Sequence, residues 1–372
     1  MNRRNRDKLA LFLPDLCSGG AERISVHLAN GLVQRGREVD MVLIRAEGEF
    51  LGDLQPAVRV VDLGGGRVAG AVPRLAAYLR SARPAVLLSA LDYVNVGAIL
   101  ARGLSRTKTP VVATVHVTRS MDEAAKRGFK EAVLRGAIRW CYRRAEAIVC
   151  VSQGVADDLV RVTGVSPEKV RVIYNPVIVP RMLELAVEPV SHPWFATGEP
   201  GVILAVGSLA PPKDYATLLR AFAIVRKTQA VRLMILGEGP LRAPLEGLVE
   251  QLGLRSCVAL PGFSANPYAY MARAALYVLS SAWEALPTVL IEALAVGAKV
   301  VATDCRNGPR EVLHGGRYGR LTPVGDAAAL AGAMCEALSE PRRAIPAEVL
   351  GPYGLDFAVD RYCEMIAEVT GV

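Results

Sequence analysis

The sequence predicts an α/β protein of two domains, each built on a parallel β-sheet covered by helices. Three observations predict it. The chain has 372 residues, more than a single hydrophobic core of ordinary size organises. Short apolar, β-rich runs alternate with segments of helical period along its whole length, the pattern of parallel strands joined by crossover helices. The alternation pauses once, over Asn175–Pro200, where Pro176, Pro180, Pro189, Pro193 and Pro200 read as an extended linker.

The elements follow in order. Strands are expected near Lys8–Leu13, Glu38–Ile44, Val58–Asp62, Ala85–Ser89, Pro110–Val115, Ala147–Val151 and Val170–Ile173. Helices fit between them, for example Ala21–Gln34 and Pro73–Ser81. A second strand series runs through Gly201–Gly207, Val231–Leu236, Val258–Leu260, Ala275–Leu279 and Lys299–Thr303. The last stretch has a helix's apolar period at Phe357, Val359, Tyr362, Met365, Ile366 and Val369. The boundaries drawn from this reading are 1–180 and 190–354, with a terminal helix over 355–372.

Composition removes several function classes. A hydrophobic content of 52% and a charged content of 22% suit a globular α/β enzyme. No apolar run approaches the length of a membrane span. The basic N-terminus leads into a short apolar run that stops at Pro14 and Asp15, which reads as a first strand rather than a signal peptide. Seven scattered cysteines without a C-x-x-C pair, and four histidines without paired spacing, argue against disulfides or a metal centre and fit a reducing cytoplasm. The net charge of +8 lies in the first half, where residues 1–180 carry 27 Lys and Arg against 17 Asp and Glu. Aromatics amount to 6% and no nucleic-acid module is recognisable, so nucleic acid is not an expected partner.

The richest segment is Ser280–Leu294, which sets Glu284 and Glu292 eight residues apart around a strand-to-helix switch. Leu286, Pro287, Thr288 and Val289 lie at the helix start, where backbone N–H groups attract phosphate or sugar oxygens. Two acids beside an anion-binding terminus suit a ligand carrying both hydroxyls and phosphates, a sugar nucleotide. The competing structural reading has Glu284 capping a helix and Glu292 in a surface ion pair.

Other segments carry weaker signals. Gly19 and Gly20, in the run Ser18–Arg23, open a helix after the first strand; they either admit a ligand close to the backbone or make a tight turn. His116 ends a strand, where ligands of open α/β sheets gather, although a lone histidine is often structural. Ser208 and Lys213 follow the first strand of the second series. Lys213 can set a compact charge against a diphosphate and stabilise a leaving group, or be a solvated lysine. Glu238 sits in a Gly-Glu-Gly-Pro turn, and Phe263 follows the next strand, near a base or in the core. Lys126–Arg144 interleaves seven basic residues with Phe129, Val133, Leu134, Ile138, Trp140 and Tyr142. It reads as an amphipathic face for an anionic membrane, or as a solvated charge run.

GGAER, the His116 strand end, VSQGVADDL, VIYNPV, LxxxK, GEGP and E-x7-E occur in one order along most of the chain. In that order they resemble the retaining family-four glycosyltransferases of GT-B fold, especially bacterial surface-polysaccharide and lipid-linked oligosaccharide enzymes. The resemblance implies two Rossmann-like domains facing across a cleft, the first binding acceptor, the second binding donor, with the last helix crossing back to the first. It implies that Glu292 meets the ribose, Glu284 the donor sugar, the backbone of Leu286–Val289 and Lys213 the phosphates, and Glu238 and Phe263 the base region. His116 would lie near the transferred sugar, with Gly19 and Gly20 beside donor phosphates and acceptor. No cofactor or metal is expected, the donor being a UDP-sugar and the acceptor a glycan or polyprenyl-linked glycan. Two departures stand out. Ser208 replaces the usual arginine, for which Arg306 or Arg310 are candidate substitutes, and Ala285 replaces the usual glycine. The alternatives are a non-catalytic sugar-nucleotide-binding protein of the same fold and a nucleotide-sugar epimerase.

Overall fold

The computed structural model describes residues 8–17, 19–121 and 128–371, with side chains left undescribed at 129–131. They form two α/β units, Met1–Pro176 with Pro352–Val372, and Val177–Gly351.

In the first unit β1 (Lys8–Leu13), β2 (Glu38–Leu43), β3 (Arg59–Asp62), β4 (Val86–Ala90), β5 (Val111–Val115), β6 (Ala147–Cys150) and β7 (Val170–Val172) form a parallel sheet of order β3-β2-β1-β4-β5-β6-β7. Leu9 pairs with Val39 on one side and Val86 on the other. Leu9, Ala10, Leu11, Phe12 and Leu13 are all buried, as a central strand covered on both faces requires. The order reverses between β1 and β4, the switch point beyond whose carboxyl ends such sheets bind ligands. The covering helices are α1 (Gly20–Gln34), α2 (Val68–Ala82), α3 (Asp92–Ser105), α4 (Phe129–Tyr142) and α5 (Gln153–Thr163). Helix α2 starts five residues before Pro73, where a helix start was expected. Gly70 and Ala71 donate to the Arg67 carbonyl, so a full turn forms ahead of the proline, which is carried inside the helix.

The second unit repeats the plan. β8 (Val202–Val206), β9 (Arg232–Leu236), β10 (Val258–Gly262), β11 (Leu276–Leu279), β12 (Val300–Thr303) and β13 (Arg320–Thr322) run parallel in the order β10-β9-β8-β11-β12-β13. Its helices include α6 (Pro180–Ala186), α7 (Tyr215–Val225), α8 (Arg242–Gln251), α9 (Pro267–Arg273), α10 (Thr288–Ala295) and α11 (Ala327–Ser339). Phe222, Leu218, Leu233, Ile235 and Val278 anchor the core. Strand β13 was absent from the reading because it is a three-residue edge strand, Arg-Leu-Thr, with no apolar run.

The linker reading of Asn175–Pro200 is corrected. The units divide between Pro176 and Val177, and α6 occupies the segment's middle. Pro180 stands at its first turn, where a missing N–H costs nothing. Met182 and Ala186 are buried, Asn266 donates to the Leu185 carbonyl (2.9 Å), and Arg273 to that of Ala186 (3.0 Å). The prolines start a packed helix rather than keep the chain extended.

The chain's last helix, α12 (Leu355–Thr370), belongs to the first unit. Val359, Tyr362, Met365 and Ile366 are buried in its core, while Phe357 is half-exposed. Gly31 of α1 makes room for it, since a Cβ there would overlap Val359. Arg35 pairs with Asp356 (3.0 Å) and Asp360 (2.9 Å). Among the described residues no helix is long and apolar enough to cross a membrane.

Candidate active site

The second unit's candidates gather at the carboxyl ends of its strands because successive loops are laced together there. After β8, Gly207 donates to the Leu236 carbonyl (2.9 Å) and Leu209 to that of Glu238 (2.8 Å), while Leu241 donates back to Leu209 (2.9 Å). Gly237 carries φ 145°, and a Cβ on it would overlap the Gly207 carbonyl. The Gly-Glu-Gly-Pro turn is therefore a close backbone crossing, which only glycine permits. A single 3₁₀ turn, Pro211–Lys213, follows. Asp214, left-handed at φ 41°, caps α7 by accepting from the Thr217 amide (3.3 Å).

This turn delivers Lys213 to the loop after β11. Its Nζ lies 2.6 Å from Glu284 Oε1, and Ser281 Oγ donates to the same oxygen (2.7 Å). Ser280 Oγ donates to the Lys213 carbonyl (2.7 Å), and the Ala282 amide to that of Pro212 (2.7 Å). The ion-paired side chains are only 18% and 12% exposed, so their charge-assisted hydrogen bond is shielded from bulk water. Glu284 is therefore held in a shielded ion pair, and Lys213 is no solvated surface lysine.

Leu286 and Pro287 are buried, and Thr288 and Val289 are half-buried in the first turn of α10. Its N-cap residue, Pro287, makes no side-chain capping hydrogen bond, and no acidic residue occupies the first turn. Glu292, five residues into the helix, is 2% exposed, which removes the surface ion-pair reading. Burial, then the Tyr215 phenol and the Glu292 and Glu284 carboxylates, hold the Tyr277 phenol well above its ordinary pKa. Both acids thus act on one buried ring.

The remaining candidates sort differently. Glu238 is locked to Arg242 (2.8 Å through Nε), which lowers its pKa below the usual carboxylate range. Phe263 is 76% exposed, so the core-packing alternative fails. Ser208 is exposed and its carbonyl accepts from Ala210 (2.8 Å). Arg310 is engaged with Asp304 (3.1 Å through Nε), whereas the exposed Arg306 side chain forms no ion pair among the described residues, leaving it the better substitute for the absent arginine.

In the first unit, Gly19 does not hold open space for a ligand. Its backbone is extended, and a Cβ there would overlap the Glu22 carboxylate, which folds back over it. Gly20 faces open space. Ser18, Lys126 and Arg127 lie outside the described residues. His116 directly follows β5, and burial lowers its pKa to about 4, so the imidazole is neutral at neutral pH. It lines a cavity of about 20 Å³ with Ser25, Ser89, Thr114 and Tyr362, so α12 reaches the His116 strand end. Of the apolar residues in Lys126–Arg144, Ile138 and Tyr142 face the core, while Val133 (56%) and Trp140 (49%) face outward.

Sequence reasoning missed a buried network behind His116. Arg119, 3% exposed, donates to Asp92 Oδ2 (2.6 Å), Tyr142 donates to Asp92 Oδ1 (2.5 Å), and Asn95 donates to the Thr114 carbonyl (3.0 Å). Leu91, just before Asp92, is held at φ 75°, an uncommon conformation for a non-glycine residue. The positive φ and the contacts spread over four elements left no local signal. Ser281 was missed too, although a polar pair ending the apolar strand ALYVL was a usable one.

Two tandem open parallel sheets, with the final helix returned to the first, define a glycosyltransferase architecture, GT-B. Residues 18–180 match the family described as glycosyltransferase family 4, and residues 191–354 match glycosyl transferases group 1. A Campylobacter jejuni protein named N-acetylgalactosamine-N,N'-diacetylbacillosaminyl-diphospho-undecaprenol 4-alpha-N-acetylgalactosaminyltransferase is 31% identical over 85% of this chain and 86% of its own length. The lipopolysaccharide core biosynthesis glycosyltransferase LpsE of Rhizobium meliloti is 26% identical over 94% of this chain and 96% of its own. Anabaena HepE, solved in complex with UDP, superposes with a TM-score of 0.76 at 20% identity over 97% of this chain and 99% of its own. The chain belongs to the family-four glycosyltransferases.

Proposed function

We propose that the protein transfers a hexose or N-acetylhexosamine, with retention of anomeric configuration, from a UDP-sugar to a hydroxyl of a glycan or polyprenyl-linked glycan. The observation that carries this is the Lys213–Glu284 pair on the loop leading to α10, whose N-cap Pro287 makes no side-chain capping hydrogen bond, with Glu292 buried in the same helix. Cation, hydroxyl-binding carboxylate and N–H groups then serve the three parts of one ligand. Lys213 and the Leu286–Val289 backbone take the diphosphate, Glu284 the sugar hydroxyls and Glu292 the ribose. The exposed ring of Phe263 offers the base a stacking face, with Glu238 framing that end and Arg306 adding charge in place of the usual arginine. Within the first unit, Gly20 leaves its backbone open to a ligand, and the neutral imidazole of His116 can hydrogen-bond a sugar hydroxyl. The departing phosphate accepts the proton of the attacking hydroxyl on the same face, so catalysis is positioning and leaving-group stabilisation without a metal. The relatives' names support acetamido-sugar donors and lipid-linked acceptors.

A melting-temperature panel of UDP, GDP, ADP and CMP without added metal tests the donor site. A rise with UDP alone is expected, and silence across the panel would remove the reading. UDP binding without turnover would favour the non-catalytic alternative, and donor conversion without acceptor the epimerase.

The outward Val133 and Trp140 of α4, with exposed Arg139, Arg143 and Arg144, support contact with an anionic bilayer at the cytoplasmic membrane face. The Arg144 guanidinium lies 3.7 Å over the Trp140 ring. The protein is expected to co-sediment with phosphatidylglycerol vesicles and not with phosphatidylcholine. Trp140→Ala with Arg139→Ala should weaken this at least fivefold, and equal sedimentation of the variant would sink the idea.

A further inference from the structure

The geometry points to the Tyr215 hydroxyl as a positioning group of the donor site, which donates to the Glu284 carboxylate once a diphosphate draws Lys213 away from it. This rests on the donor reading above and adds what steadies Glu284 in the occupied site.

Tyr215 is the first residue of α7, directly after the cap Asp214. Its ring packs in the core of the second unit, and the residue is 4% exposed. Its hydroxyl nevertheless makes no hydrogen bond among the described residues. Burying a hydroxyl in that condition costs stability, and buried polar groups are nearly always paired. The ring alone would fill the same space without that cost. The hydroxyl thus calls for a partner that this arrangement of the site does not supply.

Its placement identifies that partner. A Cβ at Gly207 would stand 3.0 Å from Tyr215 Oη and 3.1 Å from Lys213 Cε, so phenol and lysine stem lie against one point at the carboxyl end of β8. Gly207 holds φ 151° there, and a side chain would crowd both groups. Burial, then the Glu284 carboxylate, raise the pKa of the Tyr215 phenol. The phenol therefore stays protonated, a donor within the field of that acid.

Diphosphate binding supplies the occasion. Lys213 Nζ lies 2.6 Å from Glu284 Oε1, so a diphosphate that engages the ammonium takes the cation from this carboxylate. The Glu284 side chain is only 12% exposed, where water compensates poorly for a lost ion-pair partner. The phenol O–H then offsets part of that loss with a charge-assisted hydrogen bond. It keeps Glu284 ionised and in place for the sugar hydroxyls.

Tyr215→Phe in the full chain tests this, by melting temperature and by isothermal titration with UDP. Without UDP the variant is expected to melt no lower than the wild type, since no hydrogen bond is lost. Its Kd for UDP should rise by about fivefold or more, the effect of one hydrogen bond to a charged group. In a Glu284→Gln background the same substitution should change the Kd by less than about twofold, because no charge then needs the phenol. A ring that served packing alone would show neither the loss nor its disappearance in that background. The proposal is overturned if Tyr215→Phe melts several degrees lower without UDP, which would show the hydroxyl already bonded. It is equally overturned if UDP binds Tyr215→Phe as it binds the wild type, or if the loss persists undiminished in the Glu284→Gln background. Silence of the wild type to UDP would remove the donor reading and this proposal together, whereas wild-type binding with failure in the variants removes this proposal alone.

Discussion

Glu284→Gln is expected to lower kcat/KM for sugar transfer by about 10²–10³-fold, the effect of removing one preorganised polar group, roughly 3–4 kcal/mol. The amide keeps the carboxylate's shape and can still accept from Ser281 Oγ, now 2.7 Å away, so the loop should hold. What disappears is the negative charge 2.6 Å from Lys213 Nζ. In the unliganded protein that charge competes with any diphosphate for the ammonium. UDP should therefore bind the variant at least as tightly as the wild type while transfer collapses. Isothermal titration beside a transfer assay reads both. A wild-type rate from folded protein would take Glu284 out of the chemistry.

Lys213→Ala is expected to raise the Kd for UDP by about 10–100-fold, the roughly 1.5–3 kcal/mol of a hydrogen bond to a charged group. The alanine also leaves Glu284 without its cation, in a position where the carboxylate is only 12% exposed, so a moderate loss of melting temperature should accompany it. The two substitutions touch one interaction, so their effects on kcat/KM should add to less than their sum. An unchanged Kd in Lys213→Ala would refute the diphosphate role, and full additivity would show that the pair does not act as a unit.

Much of the architecture was legible because a parallel strand buried on both faces has to be a continuous apolar run. LALFL after Lys8 and ALYVL before Ser280 declare themselves without any tertiary information. The failures share one cause, which is dependence on a partner distant in sequence. Pro180 reads as a chain-extender until α9 is there for α6 to pack on. Strand β13 has no apolar signature and exists only by pairing with β12, Val301 opposite Arg320. Phe263 carries the same letter whether it fills a core or, as here, faces solvent.

The candidate site divides along the same line. Its loops were legible, because residues that punctuate the ends of apolar strands are written locally as Gly, Pro, Ser and Glu. That Gly19 is roofed by the Glu22 carboxylate, or that Arg310 is taken by Asp304, depended on side-chain directions that spacing does not carry. The sequence by itself determined two parallel-sheet domains, the connections that carry the functional residues and the family to which they belong. The tertiary structure alone decided that Lys213 and Glu284, 71 residues apart, form one ion pair. It did so because β8 and β11 are neighbours in the sheet, with Ile203 opposite Leu276, so the loops leaving their carboxyl ends meet side by side.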